Sequence, residues 1–166
     1  MNALWSYFWP AFAAGLLAGG VAGTIAFRRT NKRAAAFASG LAVSIALAAL
    51  WHGPLGGANR LEARVERGIH NTLVYYEITE VTGHLHHGPL TRRVMLSGPA
   101  DDFQRSELVR YMDQLPGVSS ATWSSDGGGV PLIAEGCAVS VLGFLLGLLL
   151  AYLRDLRRRY NAQWNW

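Results

Sequence analysis

Three long, almost uncharged stretches decide what this chain can fold into. Leu4 to Phe27, Ala34 to Trp51 and Pro131 to Leu153 run for about 24, 18 and 23 residues, and Glu135 is the one charge among them. At ~1.5 Å per residue the first and third are long enough, as helices, to cross a ~30 Å hydrocarbon core, and the second is close to the minimum for a span. The expected fold is therefore a membrane α-helical protein with three transmembrane helices, at about 4–27, 34–51 and 131–153. Residues 53–123 are left as a small water-facing domain, followed by a linker at 124–130 and a basic, aromatic tail at 154–166.

The charges say which ends face where. Fifteen basic residues stand against eleven acids, for a net charge of +4. Eight of the fifteen lie in two short runs, Arg28, Arg29, Lys32 and Arg33, then Arg154, Arg157, Arg158 and Arg159. Residues 52–130 hold the other seven with nine of the acids, so the central part is slightly acidic. The basic excess thus marks membrane edges rather than a nucleic-acid surface. By the positive-inside rule both runs are cytoplasmic, and the N-terminus and central domain lie on the outer side.

Aromatic residues agree with these edges. Trp5, Tyr7 and Trp9 open the first run, Trp51 closes the second, and Trp164 and Trp166 end the tail, all at positions suited to interfacial anchors. The tail is expected either along the inner leaflet or as a partly disordered end. Since no positive charge precedes the first run, a retained span is expected there rather than a signal peptide.

Small residues recur within two of the runs. Gly15, Gly19 and Gly23 fall at four-residue intervals in the first, and Gly136, Ser140, Gly143 and Gly147 form a similar stripe in the third. Such faces let backbones approach closely. Two readings stand: a docking face for a partner subunit, or packing among this chain's own helices.

In the central region Leu61, Val65, Ile69 and Leu73 at four-residue spacing predict an amphipathic helix, with Asn59 and Glu62 as its capping pair. Alternation at Val74, Tyr76 and Ile78 predicts a strand, TGHLHHGP a loop, and Leu90 to Ser97 a second strand. Asp101 with Gln104 predicts the start of another helix, lined by Leu108, Tyr111, Met112 and Leu115. Pro116-Gly117 stops it, and Val118 to Trp123 returns as the last strand. The domain is thus a small α+β unit of order α-β-β-α-β.

Chemistry-bearing residues are few. His84, His86 and His87 form one cluster, and His52 sits at the outer end of the second run. Metal ligation needs imidazoles that converge with a further ligand, so a hydrated loop and a headgroup-level histidine are the plainer readings. Cys137 in an apolar run reads as a small buried hydrophobe, and Glu135 as a group at headgroup level. With no Ser-His-Asp order and no phosphate-binding glycine loop, neither an enzyme nor a bound cofactor is expected.

Val94, Leu96 and Gly98 at a strand end, then Leu115, Gly117 and Val118 at a helix end, occur within that α-β-β-α-β order. Over about Asn59 to Trp123 this resembles the BON domain of bacterial envelope proteins. The chain departs from the family in its histidine-bearing hairpin and in its flanking membrane helices. The resemblance implies a periplasmic module that binds phospholipid or protein partners without catalysis. Together these readings lead to a bacterial inner-membrane protein that serves as an accessory, assembly or stabilising subunit of a larger complex, photosynthetic or respiratory, with other integral subunits as partners. The alternative is a free-standing envelope protein whose BON-like domain binds anionic phospholipid.

Overall fold

A computed structural model describes residues 3–28, 30–124 and 128–163. The fold is mostly helical, with three long apolar helices and a small three-stranded sheet. The long helices are α1 (Ala3–Arg28), α2 (Arg33–His52) and α5 (Leu132–Gln163), all long and apolar enough to cross a bilayer. A 3-10 turn, Thr30–Lys32, joins the first two. Between α2 and α5 come α3 (Gly57–Tyr75), β1 (Thr82–Leu85), β2 (Arg93–Ser97), α4 (Asp102–Asp113) and β3 (Ser120–Thr122). The chain divides into two compact units, Met1–Tyr7 with Gly56–Glu135, and Phe8–Leu55 with Gly136–Trp166. One division falls in α1 beside Pro10, whose ring nitrogen has no hydrogen to donate to the Ser6 carbonyl.

The αβ unit is organised by α3, which buries Leu61, Val65, Ile69 and Leu73 along one face. The sheet has the order β1-β2-β3, with β1 antiparallel and β3 parallel to β2. The central strand alternates as its sequence requires: Val94 and Leu96 are buried with Leu85, Leu108 and Met112. Asp101 and Gln104 form a reciprocal capping box on α4, with Asp101 Oδ1 accepting from Gln104 N at 2.7 Å. Asp113 at the other end of α4 accepts from Ala121 N at 2.6 Å and so fixes β3. Gly98, at φ +132°, passes against the carbonyl of Glu80, where a side chain has no room.

Three expectations need correction here. The run Val74, Tyr76, Ile78 is no strand: α3 continues through Tyr75, leaving Val74 58% exposed. It ends in a Schellman arrangement, in which Ile78 N donates to Leu73 O at 2.9 Å and Glu77 N to Val74 O at 3.0 Å, with Glu77 in the left-handed region. The first strand lies instead in the expected loop and includes His84. Asn59 does not cap α3 either, since the helix begins two residues earlier after Gly56 in the left-handed region. Finally, α5 does not stop near Leu153 but runs as one helix through Arg154, Arg157, Arg158 and Arg159 to Gln163. Arginine propagates a helix well, and Asp155 adds an i,i+4 pair to Arg159 at 2.8 Å.

The helical unit packs through its small residues. A Cβ at Gly15 would strike the carbonyl of Ser140, and one at Gly19 that of Phe144. From the other side, a Cβ at Gly143 would strike the carbonyl of Phe12, and one at Gly147 that of Leu16. The α1 and α5 backbones therefore touch along about two turns. Helix α2 joins at Gly40, which faces Ala22, and at Ser44, which is fully buried with Ser140. Their hydroxyls are 2.8 Å apart, and Ser140 Oγ also lies 3.0 Å from the Ser44 carbonyl.

Candidate functional site

The small-residue stripes come together within the chain. Gly15 and Gly19 meet α5, Gly23 faces Ala151, and Gly143 and Gly147 meet α1. Gly136 and Ser140 are buried in α5. Gly15, Gly19, Gly23, Ser140, Gly143 and Gly147 hold the bundle together, so a lateral surface for another molecule has to be sought elsewhere.

Helix α2 offers one. Only 11% of its most apolar window is buried, against 33% in α1 and in α5. Val43, Ile45, Leu47 and Leu50 face outward. Beside them an open apolar groove of about 710 Å³ runs between α1 and α2, lined largely by small residues such as Ala14, Ala18, Ala22, Ala35 and Ser39, with Lys32 at one end. The expectation of small residues as a contact face attached to glycines; five alanines line this groove, and three of them, Ala14, Ala18 and Ala22, recur at the same four-residue interval as the glycines beside them.

The basic positions lie at helix ends. Arg28 closes α1, Lys32 closes the 3-10 turn, and Arg33 opens α2, where its Nε donates to the Ala26 carbonyl at 3.2 Å. That bond satisfies one of the carbonyls left open by the end of α1. Arg154, Arg157, Arg158 and Arg159 are exposed on the last turns of α5. Arg29 lies outside the described residues, as do Trp164 and Trp166. Of the other aromatic positions, Trp5 and Trp9 are exposed and Trp51 is half-buried. Tyr7, on the opposite side of α1, is buried, with its hydroxyl donating toward the Leu132 carbonyl at 3.4 Å. Cys137 is half-buried.

The histidines do not gather as one set. His84 is exposed on β1, while His86 is half-buried with its Nδ1 3.4 Å from the Pro89 carbonyl. His87 turns away to Glu62, 3.1 Å from Nε2 to Oε1. Donor atoms of Glu62, Glu66 and His87 all lie within 4.8 Å of one another. The two carboxylates are one helical turn apart on α3 and form, with His87, a small polar cluster at the hairpin. His52 ends α2, half-buried.

Glu135, expected at headgroup level, is paired with Arg92. They form a two-pronged ion pair, Nε to Oε2 at 2.7 Å and Nη2 to Oε1 at 3.1 Å. Both side chains are about one-fifth exposed. The pair ties the start of α5 to β2 and is reinforced by Leu132 N donating to Leu90 O at 2.9 Å. Near the opposite end of the sheet Tyr76 stacks on Tyr111, with ring centres 4.6 Å apart. Loss of water and the neighbouring phenols raise the Tyr76 pKa above its ordinary value. Comparison of the chain with protein-family models, curated proteins and solved structures finds no match.

Proposed function

We propose that the chain is an integral protein of a bacterial inner membrane, crossing it three times and presenting its αβ unit to the periplasm as a BON-like, non-catalytic module. It serves as an accessory or stabilising subunit of a larger membrane complex. The observation that carries this reading is α2. A helix this apolar and this little covered by its own chain needs lipid or another helix around it, and the alanine-lined groove beside it suits close approach of a partner helix. The α-β-β-α-β order and the turns at Gly98 and Gly117 support the BON-like part. Basic residues at the helix ends away from the αβ unit's chain segment support the orientation.

The alternative, in which the αβ unit binds anionic phospholipid, would need basic residues such as Arg92 and Arg93 on its surface. Arg92 is committed to Glu135, which leaves that surface poorer in available charge. Purification from native membranes in mild detergent tests the subunit reading. Expected is co-migration with a stoichiometric complex, lost when Ala35→Leu and Ser39→Leu fill the groove. A protein that migrates alone, or a complex indifferent to both substitutions, overturns it.

A further inference from the structure

A second groove, of about 380 Å³, runs between α1 and α5 in the helical unit. Leu17, Gly20, Val21, Gly147 and Leu150 make its walls, and it closes on Thr24 and Arg154. A smaller hollow shares Thr24, Ala151 and Arg154 with it and continues to Arg28 and Arg158. The surface therefore passes, without a break, from an apolar trough to three guanidinium groups. Asp155 stands at the same end, but its Oδ2 accepts from Arg159 Nε at 2.8 Å. Arg28, Arg154 and Arg158 have no carboxylate partner among the described residues.

Three like charges gathered around one committed carboxylate are relieved by an anion, and guanidinium forks match phosphate oxygens. The trough beside them says what else that anion carries. From Leu16 to Arg28 the groove follows α1 for about 18 Å, comparable to the ~15 Å depth of one leaflet's hydrocarbon. Gly20 faces open space in this trough, since a Cβ there meets nothing within 4 Å. Free phosphate would use only the arginines, whereas a lipid uses both parts.

We infer that the α1–α5 groove is a binding site for an anionic phospholipid, with one acyl chain along Leu17, Gly20 and Leu150 and the phosphodiester at Arg28, Arg154 and Arg158. The inference rests on the reading of α1 and α5 as membrane spans, and it assigns a role to the basic helix ends beyond orientation.

The full-length chain, reconstituted in neutral detergent, is titrated with phosphatidylglycerol, phosphatidylcholine or inorganic phosphate while its melting temperature is followed. Phosphatidylglycerol is expected to raise it at concentrations at least tenfold below those at which phosphatidylcholine acts, with inorganic phosphate giving no shift. Arg154→Gln with Arg158→Gln abolishes the preference. Gly20→Leu, whose Cβ enters open space and whose side chain fills the trough, also abolishes it without lowering the lipid-free melting temperature. Equal response to both lipids, protection by inorganic phosphate alone, or an undiminished response in Gly20→Leu overturns the site. Alkaline carbonate extraction separates the two levels of failure: release from membranes defeats the spanning reading and the site with it, whereas retention without a phosphatidylglycerol preference defeats the site alone.

Discussion

The αβ unit and the helical unit are filled with opposite materials. The first buries Leu61, Ile69, Leu96, Leu108 and Met112, large side chains that meet in the middle. The second buries Gly15, Gly19, Ser44, Ser140, Gly143 and Gly147, while Leu17, Val21, Leu142 and Leu149 face outward. In water, removing apolar area is the main gain, at about 25 cal/mol per Å², so large residues belong inside. Between helices surrounded by hydrocarbon that gain vanishes, and close backbone contact with polar pairs takes its place. A helical unit this inverted makes sense with lipid on its outside.

The contrast breaks most readily at the glycine seam. Gly143→Leu drives a side chain into the Phe12 carbonyl, an atom that can yield only if α1 and α5 separate. Expected is a loss of roughly 3 kcal/mol or more, measured by unfolding in micelles. The same change at Gly20, whose Cβ would enter open space, is expected to bring no such loss. If both cost the same, the seam is not what holds the helices. In the αβ unit the corresponding change is the reverse one, large to small. Leu61→Ala, at a side chain only 1% exposed, is expected to cost about 3 kcal/mol. Amide exchange across residues 57–122 reads it directly, and faster exchange in α2 or α5 would mean the two kinds of packing are not separate.

A finer comparison concerns a polar contact buried in the helical unit, between Ser44 and Ser140. Ser44→Ala leaves the Ser140 hydroxyl with one partner fewer in an apolar setting. The expected cost is about 1 kcal/mol, and the double change with Ser140→Ala costs less than the sum of the two single ones. Strict additivity in that cycle would show that the hydroxyls do not depend on each other.

Much of this was legible in the sequence, but unevenly. Apolar runs of about 18 residues or more and glycines every fourth position are signals that need no partner to be read. So are the capping box at Asp101 and the four-residue stripe from Leu61 to Leu73. The glycine stripes could not say which surface they would meet, because helix rotation is set by contacts between residues more than a hundred positions apart, as between Gly15 and Ser140. Arg92 and Glu135 are hidden for the same reason. The end of α5 was misplaced because a composition change from leucine to arginine marks a change of surroundings, not of backbone. The groove ending on Arg28, Arg154 and Arg158 joins two charge runs that the sequence presents at opposite ends of the chain.

The misplaced strand after α3 has a physical cause that can itself be tested. Alternation at Val74, Tyr76 and Ile78 suggested period two, yet the apolar face of α3 extends to Leu73 and carries the helix onward. Such a helix usually announces its end with a glycine, the residue that enters the left-handed region without a Cβ penalty. Here Glu77 occupies that place at φ 56°, so the stop is made without its usual sign. The left-handed conformation costs an ordinary residue about 1 kcal/mol or more, and glycine gives part of that back as entropy in the unfolded chain. Glu77→Gly is therefore expected to stabilise the αβ unit by roughly 0.5 kcal/mol, seen as slower amide exchange in α3 and the sheet and no change in the helical unit. A loss of stability would show that the Glu77 side chain contributes more than its backbone conformation costs.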